Sequence, residues 1–273
     1  MSVEILMRSF CLSLAAPAVA LLGTATAQTQ EEIERYKDMT IFAVGGSLAV
    51  NVEPYRGLED EIQIIPVPFF IFNKGDLTVA GPNISYRFAK PTPTTTVSFE
   101  SRYRFQGYDA SDSDFLAGMD DREGTFEVGG RLVHRIGRLR IQLQGMTDVS
   151  GTHDGFEAEA RATFEVSNGR MISLRPLGGI RFQSANFVDY YYGVENDEAT
   201  LVRPFFEGEK TAVPFVGANM RMRLTRRIQL NGSVTMNLLT DDITESPIVD
   251  KDSRIGAFMG VSYLFSGPGV GGN

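Results

Sequence analysis

Few residues of this chain are equipped for chemistry. It holds two histidines and one cysteine in 273 residues. His153 lies in Gly151-Thr152-His153-Asp154-Gly155, where a histidine beside an aspartate can form an acid–base dyad. No serine is spaced to complete a nucleophilic triad, and a loop histidine beside an aspartate is ordinarily solvated. His134 shares the parity of Phe126, Val128 and Leu132, so it points to the apolar side of its segment. Asp109, Asp112, Asp114, Asp120 and Asp121 are hard oxygen ligands in one stretch, but they lack the fixed spacing and glycine of a calcium loop. They read as a solvated acidic surface. No catalytic residue, metal or cofactor is expected.

A larger set of charged residues recurs at every second position inside otherwise apolar segments. It comprises Glu100, Arg102 and Arg104; Glu127 and Arg131; Arg140; Glu157, Glu159, Arg161 and Glu165; Arg175 and Arg181; and Arg221 and Arg223. Their chemistry is mutual pairing across a polar interior. Only a strand with one apolar and one polar face places residues this way. Ile228, Leu230, Gly232, Val234, Met236 and Leu238 alternate with Gln229, Asn231, Ser233, Thr235 and Asn237. Phe156, Ala158, Ala160, Ala162, Phe164 and Val166 alternate with Glu157, Glu159, Arg161, Thr163 and Glu165. The segments around 97–105, 139–144 and 212–224 repeat the pattern. Less regular ones cover 40–52, 62–72, 76–88, 125–136, 170–183 and 254–265. In 62–72, Pro66 and Pro68 remove two ladder donors, which predicts a bend or an edge-like irregularity.

These elements predict an all-β fold, an antiparallel transmembrane β-barrel. A soluble sandwich would need a bulky apolar core, whereas here the apolar face is often Ala or Gly. Eleven segments are legible and single-chain barrels have even strand numbers, so the reading is twelve strands, with ten as the alternative. The missed crossing is placed in 184–208, or else in 28–40. Short turns at 73–76, 136–137 and 168–169 contrast with long loops at 107–124, 184–208 and 239–253. That asymmetry assigns the turns to the periplasm and the loops to the exterior. Mean hydropathy is -0.09, as expected when a lipid face is averaged against a polar lumen. The net charge of -8 argues against nucleic acid as a partner.

The N-terminus carries Arg8, an apolar run from Phe10 to Leu22, and Ala25-Thr26-Ala27. It reads as a cleavable secretory signal over residues 1–27. Its removal takes Cys11 and leaves a thiol-free mature chain. The domain reading is a periplasmic segment over 28–39, the barrel over 40–265 and a C-terminal tail over 266–273.

Several short motifs carry a resemblance. Val44-Gly45-Gly46 is followed by Pro54-Tyr55-Arg56-Gly57 and then by Ile65-Pro66-Val67-Pro68-Phe69. Tyr191-Tyr192-Gly193-Val194, Ser246-Pro247-Ile248-Val249-Asp250 and Gly260-Val261-Ser262-Tyr263-Leu264-Phe265 complete the set. Together they resemble the MipA/OmpV family of outer-membrane proteins across nearly the whole mature chain. There is no Trp, so an aromatic girdle must use Tyr and Phe. The resemblance implies an integral protein of the Gram-negative outer membrane, in contact with its lipid. It also implies a scaffold role, linking a murein-degrading lytic transglycosylase to a penicillin-binding synthase. A narrow channel for small solutes is the alternative, and a hydrolase at the barrel rim a minor one. A barrel of this size has a narrow interior, so long side chains of both signs are expected to fill most of it and to conduct poorly.

Overall fold

A computed structural model describes residues 40–58, 62–168 and 171–266. The secretory signal and the 28–39 segment lie outside the described residues, as does the proposed tail beyond Ser266. Thirteen strands form one antiparallel sheet. They are β1 (Ile41–Val52), β2 (Ile62–Lys74), β3 (Leu77–Ala80), β4 (Asn83–Thr92), β5 (Thr95–Arg104), β6 (Thr125–Ile136) and β7 (Leu139–Asp148). They continue with β8 (Phe156–Phe164), β9 (Ser167–Asn168), β10 (Ile172–Gln183), β11 (Thr211–Arg223), β12 (Ile228–Leu238) and β13 (Ser253–Ser266). The short β9 prolongs β8 and pairs with the same neighbour, β10, so the two share one place in the ring. Twelve places remain, and β13 pairs with β1 from Phe42↔Ser266 to Val52↔Ile255. The barrel is closed.

The twelfth crossing is not where the sequence placed it. The segment 184–208 holds no crossing strand. It carries helix α1 (Ala185–Tyr192), whose N-cap Ser184 accepts the Phe187 N–H. Instead, the stretch read as one segment over 76–88 turns back at Gly81-Pro82 and supplies both β3 and β4. Four residues are too few to show a period, which is why β3 escapes a pattern search.

The brevity of β3 leaves a mark on β2. β2 pairs with β1 along Ile62–Asn73, but with β3 only from Ile71 to Lys74. Phe70 O accepts from Gly81 N at 2.9 Å, so even-numbered residues of β2 direct their backbone groups away from β1. Pro66 and Pro68 have that parity. Their missing N–H groups fall on an edge that no described strand covers, where proline is tolerated.

Helix α1 and helix α2 (Asp241–Thr244) both lie at the end of the barrel that carries the long connections. At the other end the connections are short, as at Gly75 and Gly137, which take positive φ. Paired registers put Val234 opposite Ala218 and Ala257 on the outer face, and Ser233 opposite Asn219 and Phe258 on the inner. Val234 is 45% exposed. Val234→Arg is therefore expected to impair membrane insertion, at a cost of about 2–4 kcal/mol near the bilayer midplane. Ser233→Arg enters the lumen and is expected to be tolerated better. Heat-modifiable gel mobility of both variants in isolated outer membranes is the check. Equal damage would contradict this register.

Candidate functional site

The inward-pointing charges divide along the barrel axis. Near the loop end, Glu127 of β6 and Glu157 of β8 are almost completely buried. Arg102 and Arg104 of β5 bridge them. Arg104 Nε donates to Glu127 at 2.9 Å, and Arg102 Nη2 donates to Glu157 at 2.9 Å. Arg102 Nε also donates to Glu127, and Arg104 Nη2 lies 3.1 Å from Glu157. Two carboxylates and two guanidiniums thus share their bonds, with Gln183 adding a third donor to Glu157 at 3.2 Å. Such a pair of pairs tolerates burial because each charge keeps its partners.

Two smaller groups flank it. Glu159 accepts from Arg161 at 2.9 Å and from Arg181 at 2.8 Å, and the Arg181 guanidinium lies 4.3 Å from the Phe215 ring centre. Glu100 accepts from Ser85, Ser98 and Arg131. Near the turn end the balance reverses. Arg140, Arg175, Arg221 and Arg223 form no ion pair with any described carboxylate, and Glu165 is the one acid lining the cavity there. The expectation of cross-linked charges throughout the lumen therefore fails in this half. Glu165 apart, the inward acids sit nearer the loop end, and these arginines have no carboxylate at ion-pair distance. A cavity of about 390 Å³ remains here, lined by Arg140 and Arg175 with Arg131, Arg135, Arg138 and Arg161.

His153 departs from its reading as a solvated loop residue. It is 5% exposed and stacks edge-on against Phe187 of α1, with ring centres 5.1 Å apart. Its Nδ1 accepts the Gly155 N–H at 2.9 Å, and its Nε2 lies 3.8 Å from Glu127. Asp154, the supposed dyad partner, is exposed. His134 bonds Thr95 Oγ1 through Nδ1 at 2.8 Å, on the outer face. The aspartates of 109–121 are exposed; Asp109 caps a 3₁₀ turn over Ala110–Asp112.

Above the charges, the long connections fold into a cap with its own core. Tyr55, Tyr108, Phe187, Val188, Tyr191, Tyr192, Ile243 and Ile248 are buried together. The motifs that carry the family resemblance meet here. Tyr55 bridges to Val249, Arg56 N donates to Ile248 O at 2.8 Å, and Asp250 N donates to Pro54 O at 3.0 Å. Ser246 Oγ donates to Tyr192 O at 2.6 Å, and the Tyr55 and Tyr108 rings meet edge to face at 4.6 Å. Gly57 takes φ +72°, and Gly193 would place a Cβ 2.3 Å from Asp189 O, so neither position accepts a side chain. Burial pushes the Tyr192 hydroxyl up to about 12 and raises the Tyr55 hydroxyl well above its ordinary value.

Two ion pairs fasten the cap. Arg122 Nη2 donates to both oxygens of Glu198 at 2.8 Å, and Arg254 donates to both oxygens of Glu53 at 2.7 and 2.8 Å. Burial alone would raise the Glu198 carboxyl. The Glu195 and Asp120 N–H groups and the Arg122 guanidinium outweigh it and hold the group below its ordinary value. Nothing in the sequence pattern announced this pair, because its partners lie in separate loops without periodicity.

Comparison with known proteins agrees with this architecture. The family model described as "MltA-interacting protein MipA" matches residues 44–265. "Putative outer membrane protein YiaT" of Escherichia coli (strain K12) is 24% identical over 226 residues, covering 82% of this chain and 90% of that protein. "MltA-interacting protein" of the same strain is 24% identical over 232 residues, with the same coverage. "Outer membrane protein OmpV" of Vibrio cholerae is 25% identical over 158 residues, covering 58% of this chain and 61% of its own length. Among solved structures, the NanC porin covers 82% of this chain at 11% identity, with a TM-score of 0.37.

Two substitutions test how the lumen and cap are held. Glu127→Ala leaves Arg102 and Arg104 short of a carboxylate in a closed interior. A loss of about 3–5 kcal/mol is expected, read as a lower unfolding temperature with β content intact. Arg122→Ala is expected to leave barrel unfolding nearly unchanged while exposing the 107–124 and 193–210 connections to protease. If limited proteolysis shows those loops as resistant as before, this ion pair does not secure the cap.

Proposed function

The chain belongs to the MltA-interacting protein family, and from that premise we propose that it is a non-enzymatic outer-membrane scaffold for enzymes of the murein layer. One relative bears the name MltA-interacting protein. A lytic transglycosylase is accordingly the first partner, and a penicillin-binding synthase the second. The observation that supports this reading most is the folded cap. Loops with a buried aromatic core lie over one end of the barrel, and beneath them the Glu127–Glu157–Arg102–Arg104 cluster occupies the loop-end half of the lumen. A barrel shut toward the outside presents its usable surface to the periplasm, where murein lies. His153, the one candidate base of the long loops, is stacked beneath α1 beside Glu127 rather than aimed at an open cleft, which does not favour a rim hydrolase.

The channel reading rests on the cavity near the turn end. Planar-bilayer recording separates the two. The scaffold reading expects silence or brief, small openings, together with retention of a lytic transglycosylase on a column carrying the refolded barrel. A large steady conductance without such retention would put the channel first.

A further inference from the structure

The arginines around the recess near the turn end outnumber its acids: Glu165 is the one carboxylate that lines it, and among the described residues no ion pair joins Glu165 to any of them. Arg135 of β6 and Arg140 of β7 stand directly opposite each other, a place where like charges destabilise a sheet. Arg131, Arg161 and Arg175 add their positive fields to that of Arg135 at Arg140. Arg131 and Arg161 already have carboxylates, in Glu100 and Glu159. Arg140 and Arg175 have none, and each keeps a buried Nε without a hydrogen-bond partner. An aligned set of positive charges around a recess of about 390 Å³ concentrates anions, and guanidinium forks match the paired oxygens of carboxylate and phosphate. Arg138 and Gly137, on a short turn, stand at the mouth of the recess, so entry is from the periplasmic end.

We propose that the periplasm-facing half of the lumen is a binding site for a small solute carrying two or more oxyanion groups, with Arg140 and Arg175 as its principal contacts. The recess is sized for one small molecule. The site is separate from any docking surface for murein enzymes, and its test does not depend on that reading. An anion there offsets the mutual repulsion of the arginines, so binding and barrel stability are linked.

The experiment uses the full mature chain, refolded in detergent, with pyrophosphate and citrate as probes and chloride at matched ionic strength as reference. Calorimetric titration is expected to show saturable binding of at least one probe, and thermal unfolding is expected to shift upward with it. Whichever probe binds identifies the phosphate or the carboxylate class. Arg140→Gln with Arg175→Gln is expected to weaken binding tenfold or more. In chloride alone, Arg140→Gln is expected to raise the unfolding temperature, because it removes repulsion; an arginine that merely supported the fold would do the opposite. If the double variant does not fold, Arg138→Gln at the mouth is expected to weaken binding severalfold. Arg227→Gln, in another turn where Arg227 bonds the Tyr263 hydroxyl, is expected to bind normally. Three anions acting alike without saturation would overturn the proposal, as would unchanged binding in the Arg140, Arg175 and Arg138 variants.

Discussion

Backbone N–H and C=O groups that face hydrocarbon have no water to turn to, so the wall must satisfy them itself. The rest of this structure follows from that requirement. The ring closes through β13 and β1, and the closure depends on close approach. A Cβ at Gly45 would lie 1.8 Å from Val261 O, across the closing pair. Gly129 makes the same approach to Gly145 O between β6 and β7. Where the ladder is incomplete, over the part of β2 that precedes its pairing with β3, the chain places Pro66 and Pro68 at positions that would otherwise present unpaired donors. A proline there removes an obligation that the short β3 cannot meet.

Once the wall is closed, its inward side chains share a narrow space, and their charges must be balanced locally. The loop-end half achieves this with shared carboxylates. Glu127 and Glu157 each accept from two arginines, so no member of the group depends on a single bond. The turn-end half does not balance. Arg135 faces Arg140 across the ladder, and Asn219 rather than an acid faces Arg175. One end of the lumen is therefore internally neutralised, while the other is electropositive and holds the cavity.

How much of this was legible follows from where periodicity reaches. Alternation in 156–166 and 228–238 announced the strands and the inward face, because lipid on one side and a polar lumen on the other leave a period of two. It could not announce β3, whose four residues carry no period, or α1, which sits in a stretch read as a possible crossing. Parity gathers the arginines and glutamates onto one face of their strands. It could not grade them by height, since height depends on register and shear between strands distant in sequence. Tyr55, Tyr192 and Ile248 were singled out only through resemblance. Their meeting in the cap is a tertiary fact with no local signature.

The cap and the cluster beneath it also reinforce one another. Arg104 bonds Glu127 below and lies 4.8 Å from the Phe187 ring of α1 above. His153 stacks on that same ring and faces Glu127. The aromatic core of the loops thus rests on the ion-pair group, and the group in turn loses water because the loops cover it. Desolvation strengthens the charge pairs that stay matched and penalises those that do not. The matched charges accordingly lie under the cap, and the unmatched arginines lie at the end that carries the short turns.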